Sequence, residues 1–265
     1  MSTVLGCIGC GNMGAAILQG LASYPDLQLL GCDHSPCKLE ALKAANVQAM
    51  PDVVSLVEAS DFILVAVKPA YVEDVLKSIE PHLTPNKVVI SIVSGLSIAT
   101  MKATTANKAP VIRVMPNTPA MVGAGVFALC FADSALSQAK ADYVHQLFAA
   151  LGSVLVLPES QFNAFTAVAG CGPAYVFHFM EAMVESAVTL GFTRKAATTM
   201  VTDLFAGSVK LAQHSDLHLS ELREAVCSPA GNTIAAMNQL DRTAVRGHII
   251  DAVLAAHARG KEMER

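Results

Sequence analysis

The chain has 265 residues, of which 53% are hydrophobic and 15% charged, and its formal net charge is −4. This apolar content supports a sizeable core and argues against disorder. The acidic balance, with no cluster of lysine and arginine, excludes the electrostatic footprint of a nucleic-acid binder or of a protein held on an anionic membrane surface.

The N-terminal MSTVLGCIGC has no basic stretch and runs straight into an apolar, strand-like segment, so no secretory signal is expected. From there to about residue 155, strand and helix signals alternate. Strand-like runs fall at 3–9, 27–32, 62–67, 87–93, 111–115, 126–132 and 153–157. Helical patterns fall at 14–23, 36–45, 53–59, 72–79, 98–103 and 134–151. Short, continuously apolar strands separated by helices predict an α/β fold: a Rossmann-type, doubly wound, mostly parallel sheet covered on both faces.

After Pro158 the pattern becomes helical, with expected helices at 161–190, 194–213, 219–226, 232–239 and 242–262 and Thr193 as an N-cap. The longest apolar stretch, 162–180, contains Asn163, Gly170, Gly172 and Pro173 and reads as buried helix rather than a membrane span. Helices this apolar pack on a neighbour or form the core of an oligomer. The expected domains are therefore 1–158 and an all-α 159–265. Seven cysteines, mostly inside apolar runs, suit packing in a reducing cytoplasm. Cys7 and Cys10 have C-x-x-C spacing, but no second pair or histidine cluster completes it, so no metal site is expected.

The first motif is GCGNMG, residues 9–14, following an apolar strand and opening a helix. That context makes G-x-G-x-x-G a dinucleotide turn. Gly9 permits the turn, Gly11 admits a pyrophosphate and Gly14 lets helix and strand pack closely, with Asn12 and Met13 opening the helix whose N–H groups face the phosphates. About 20 residues on, Asp33 stands where an acid binds an adenosine ribose and favours NAD. His34, Ser35 and Lys38 beside it would instead receive a 2′-phosphate and favour NADP, and a plain cap of the next helix is a further reading of Asp33. Ala66, Val67, Lys68 and Pro69 end the third strand, where such sheets place their ligands. The loop RVMPNTP, residues 113–119, is stiffened by Pro116 and Pro119 and offers Asn117 as a wall for a nicotinamide. Further on, GCGPAY at 170–175 puts glycines into a helix, a mark of close backbone approach. SPAGNTIAAM at 228–237 joins a polar turn to a helix start, with Asn232 or Thr233 as its expected cap.

Taken in this order and spacing, GCIGCGNMGAAI, AVKP, MPNTP, GCGPAY and SPAGNTIAAM resemble the pyrroline-5-carboxylate reductase family across essentially the whole chain. The resemblance implies an NADPH- or NADH-dependent reductase that forms L-proline from 1-pyrroline-5-carboxylate. It also implies self-association as a dimer or a ring of dimers, with the active site between the cofactor domain of one subunit and the helical domain of its partner. Ser228, Gly231, Asn232 and Thr233 would then hold the substrate carboxylate, with the Thr233 hydroxyl near the ring nitrogen. A protonated iminium needs no strong acid, and no histidine, lysine or carboxylate stands in these loops; Asp216, shortly before, reads as a solvated helix-end residue. The sequence departs from the family pattern at Ala230, where a second glycine is common, and at Val53, Ala169 and Asn232. Two rivals share part of this pattern. A β-hydroxyacid or other imine oxidoreductase of the same architecture is one, but the hydroxyacid enzymes use a lysine on the helix that here has none before Lys195. A non-catalytic dinucleotide sensor is the other, and it would have no need of the 228–233 loop.

Overall fold

The computed structural model describes residues 2–263. They form two compact units, one running to Cys171 and including the chain from Ala256 onward, the other spanning Gly172–Ala255.

The first unit is built on strands β1 (Thr3–Ile8), β2 (Leu27–Cys32), β3 (Gln48–Ala49), β4 (Phe62–Val65), β5 (Val88–Ser91), β6 (Val111–Met115), β7 (Gly125–Cys130) and β8 (Gly152–Val156). Their order in the sheet is β3-β2-β1-β4-β5-β6-β7-β8. All neighbours are parallel except β6 and β7. The link between β6 and β7 is too short for a crossover, so the chain doubles back. Helices α1 (Asn12–Gly20), α2 (Pro36–Ala41), α3 (Val53–Ala59), α4 (Val72–Ile79), α5 (Ile98–Thr104) and α6 (Gln138–Ala149) alternate with the strands.

Alternation along each strand sends side chains into two cores. Phe62 and Leu64 join the cluster under α1 and α6, whereas Ile63 and Val65 join the one under α3, α4 and α5. The strand order reverses between β1 and β4, which opens a crevice at their carboxyl ends. Sequence periodicity misses β3, which is a two-residue edge strand of Gln48 and Ala49 with no apolar run to read. Helix α6 starts at Gln138 rather than 134, because the Asp133 carboxylate accepts the Ala135 N–H and holds that stretch in a turn.

Asp133 also accepts the Val111 N–H at 2.8 Å and pairs with Lys102 at 3.0 Å, its own side chain being 4% exposed. Burial works to raise its pKa, but the two amide donors and the lysine outweigh it and hold the carboxyl below its usual value. A depressed pKa contributes stability that is complete above the unfolded value of about 3.9 and is lost as pH falls through the folded one. Asp133→Asn should therefore cost about 2–3 kcal/mol at neutral pH. In a denaturation series, the gap between variant and parent should close below about pH 4, and a gap independent of pH would sink this account.

The expected helix over 161–190 is interrupted. Phe162–Phe165 forms α7, residues 166–170 form a π-turn closed by the Cys171 N–H on the Thr166 carbonyl, and α8 (Gly172–Thr189) follows. Phe162 and Phe165 are buried in the sheet's second core. The Arg113 guanidinium lies 4.9 Å over the Phe162 ring and pairs with Glu159, whose carboxylate also accepts the Ile98 N–H. These contacts tie 159–165 to the sheet, so the compact unit continues past the sequence boundary near Pro158 to Cys171.

In the second unit α8 packs on α9 (Arg194–Gln213), which is capped by the Thr193 hydroxyl. Helices α10 (Leu219–Ala225), α11 (Asn232–Arg242) and α12 (Val245–Met263) complete it, the last turns of α12 belonging to the first unit. Its apolar side chains are largely uncovered, with Phe177 64% and Leu190 79% exposed. An apolar surface of that extent marks a protein interface. Among the described residues no helix is long and apolar enough to cross a membrane.

Candidate active site

The turn from β1 into α1 is shaped by glycine. Gly9 has φ +94°, and a Cβ there would meet the Ala66 carbonyl oxygen at 2.8 Å and Val67 at 3.1 Å. A Cβ on Gly14 would collide with the Gly9 carbonyl oxygen. One on Gly11 would meet nothing within 4 Å, so the backbone there is open to a ligand. Gly11 is the N-cap residue of α1 and no side chain caps the helix, which leaves the Asn12, Met13 and Gly14 N–H groups without helical acceptors. Asn12 is exposed, while the Met13 side chain packs on the core, so only its backbone faces outward. A tight glycine turn, an open cradle and uncapped amides fit a dinucleotide pyrophosphate.

Asp33 is braced from several sides. Its carboxylate accepts the Cys10 N–H at 2.8 Å and the Ser35 N–H at 2.9 Å, and Lys38 reaches both oxygens at 3.1 and 3.2 Å. Burial alone would raise its pKa, but these donors hold it below the usual range. The Asp33 side chain is 8% exposed and that of Lys38 48%, while His34 is exposed beside them. Asp33 thus ties the β1–α1 turn to the start of α2 (Ser35 being its N-cap residue), rather than simply capping that helix. Cys7 and Cys10 are buried beneath the turn as free thiols, and the Cys7 thiol is pushed well up by its hydrogen bond with Cys10 and by burial.

Ala66 and Val67 follow β4 directly against Gly9, and exposed Lys68 leads into a 3₁₀ turn at Pro69–Tyr71. A cavity of about 470 Å³ opens beside Pro69, lined also by Ser94, Gly95, Thr100 and Arg259. Sequence reading passes over Ser94 and Gly95; the available signal is a small-residue pair closing the apolar run that contains β5, with Gly95 at φ +75°. The 3₁₀ turn Thr118–Val122 packs on α1, bringing the loop that carries Asn117 beside the dinucleotide turn.

In the second unit, the Gly231 N–H closes a turn on the Ser228 carbonyl at 3.0 Å, with Ala230 in a left-handed conformation at φ +57°. Gly231, not Asn232 or Thr233, is the N-cap residue of α11, and no side chain caps it. The extended backbone of Gly231 makes Asn232 and Thr233 the first two helical residues, which corrects the expected capping role. Ser228 is exposed and Thr233 half-buried at a helix start rich in unpaired donors, suited to a carboxylate.

Comparisons with known proteins agree with this layout. A family model described as pyrroline-5-carboxylate reductase dimerisation matches residues 159–263, and one described as NADP oxidoreductase, coenzyme F420-dependent, matches 4–95. The chain is 30% identical to the pyrroline-5-carboxylate reductase of Pisum sativum, covering 99% of this chain and 96% of the relative. It is 34% identical to that of Mycobacterium tuberculosis, covering 97% and 95%. The structure of Plasmodium falciparum pyrroline carboxylate reductase with NADP bound superposes with a TM-score of 0.91 at 30% identity, covering 99% of this chain and 98% of that one.

Proposed function

The chain belongs to the pyrroline-5-carboxylate reductase family, and from that premise we propose which residues carry the reaction, which cofactor is preferred and how the subunits share the site. The enzyme is an NAD(P)H-dependent oxidoreductase that reduces 1-pyrroline-5-carboxylate to L-proline. The observation that carries this reading is the presence, in one chain related to these enzymes over its full length, of an open dinucleotide turn at Gly9–Gly14 and an uncapped, donor-rich helix start at Gly231–Thr233.

The nicotinamide, when bound, supplies a hydride to the C=N carbon. The N–H groups of Asn12, Met13 and Gly14 hold the pyrophosphate, and Ala66, Val67, Lys68 and Pro69 flank the cofactor at the carboxyl end of β4. The first-turn amides of α11 and the Ser228 hydroxyl receive the substrate carboxylate. Thr233 Oγ1 hydrogen-bonds the ring nitrogen and orients its proton, which arrives with the iminium from solvent. Ser228–Thr233 of one subunit serve the cofactor domain of its partner in a cytoplasmic dimer, and dimers assemble further into rings. The uncovered apolar helices of the second unit and the seven free cysteines support that setting.

NADPH is preferred over NADH. Asp33, the acid that would hold ribose hydroxyls, already has both oxygens engaged by Cys10, Ser35 and Lys38. Lys38, whose ammonium keeps a third N–H beyond its two bonds to Asp33, and exposed His34 face the solvent where a 2′-phosphate would lie. An assay of nicotinamide oxidation that depends on the imine should favour NADPH in kcat/KM. Lys38→Ala should narrow that ratio at least about tenfold, because it removes a cation and frees Asp33 together. No oxidation with either cofactor by protein that binds dinucleotide would sink the assignment, and an unchanged ratio would remove Lys38 from recognition.

A further inference from the structure

Asn117 is expected from sequence to wall the nicotinamide, yet the residue is 6% exposed and both ends of its amide are engaged. Oδ1 accepts the Val126 N–H of β7 at 2.9 Å, and Nδ2 donates to the Ala169 carbonyl at 3.1 Å. The second bond answers a specific vacancy in the backbone. In a continuous helix the carbonyl of residue 169 accepts from the N–H of residue 173. Residue 173 is proline and has no N–H. Two features therefore meet at this point: a π-turn at Thr166–Gly170 and a carbonyl orphaned by Pro173. The π-turn also sits against the loop after β6, since a Cβ on Gly170 would lie 3.4 Å from Met115.

We infer that Asn117 is a positioning residue rather than a cofactor ligand: its amide substitutes for the missing Pro173 N–H and locks the loop after β6 to β7 and to the π-turn that opens α8. The two motifs MPNTP and GCGPAY are thereby one mechanical unit, although they lie far apart in the chain. The amide fits this task because it donates at one end and accepts at the other. In Asn117→Asp the carboxylate still accepts from Val126 but faces the Ala169 carbonyl with no donor.

The inference rests on the reductase reading for its kinetic arm alone. N117D should leave the dissociation constant for NADPH within about twofold and lower kcat at least about tenfold, since small misplacements of a positioned reactant are costly. P173A restores an N–H at position 173, so the N117D/P173A double variant should recover most of the lost kcat and of the lost thermal midpoint. Such non-additivity is the signature of two residues acting on one group. If N117D alone does not fold, N117D/P173A should fold. An NADPH affinity that falls with kcat, or a double variant no better than N117D in midpoint or solubility, would overturn the inference. The midpoint arm needs no turnover, so its failure is distinct from failure of the reductase reading, which parent enzyme inactive on the imine would signal.

Discussion

Gly14→Ala should abolish cofactor binding and destabilise the first unit by about 3 kcal/mol. The added Cβ meets the Gly9 carbonyl oxygen, Cys7 Sγ at 3.1 Å and Ala66 Cβ at 3.2 Å. Its first obstacle is backbone, which cannot rotate aside as a side chain does, and overpacking of this kind costs about 1–3 kcal/mol or more. Relief requires α1 to move away from β1, which takes the Asn12–Gly14 amides out of line with the pyrophosphate. Gly11→Ala separates the two effects. Its Cβ meets nothing within 4 Å in the protein, so stability should change by less than about 0.5 kcal/mol while NADPH affinity falls by at least about a hundredfold. Thermal unfolding and fluorescence titration of both variants provide the test. Retained affinity in Gly11→Ala would show that the pyrophosphate does not lie over this residue.

Thr233→Ala should lower kcat/KM for the imine by about 10–100-fold, or about 1.4–2.7 kcal/mol, the range of one hydrogen bond to a charged group. Binding of NADPH should be untouched, because the substitution lies at the second position of α11 and not in the dinucleotide turn. Thr233→Ser keeps the hydroxyl and should retain most activity. The removal of a methyl and a hydroxyl from a half-buried helix start leaves the fold intact, so the loss would be chemical and not structural. Kinetics of Thr233→Ala equal to those of the parent would take the hydroxyl out of the site.

Ala230 shows how a local rule can be legible yet incomplete. Its φ of +57° puts a Cβ in the left-handed region that glycine occupies freely and alanine adopts at a cost of about 1 kcal/mol or more. Sequence alone registered the departure; the backbone shows that the turn nonetheless keeps its form, with Gly231 closing on Ser228.

What the sequence by itself determined is local and periodic. Largely apolar runs, broken only by Gln28 in β2 and Arg113 in β6, placed both strands to the residue, because strands in the middle of such a sheet are mostly buried. Helices α3, α4 and α9 were equally plain from their periodicity and caps. The glycine spacing of the dinucleotide turn was legible because Gly9 and Gly14 answer steric demands that no other residue meets, while Gly11 leaves the backbone between them open. Only the tertiary structure decided the roles of groups whose partners are distant in the chain. Sequence left Asp33 between ribose acceptor and helix cap, and only the structure shows its carboxylate engaged by Cys10, Ser35 and Lys38. Asn117 was legible as part of a polar loop, and only the structure shows its amide bonded to Ala169 and Val126. The long helix after Pro158 was apolar enough to read as unbroken, yet the structure interrupts it with a π-turn at Thr166–Gly170, whose Ala169 carbonyl accepts from the distant Asn117 amide. Hydrogen bonds of this kind depend on which segments the sheet order brings side by side, and pattern along the chain carries no record of that.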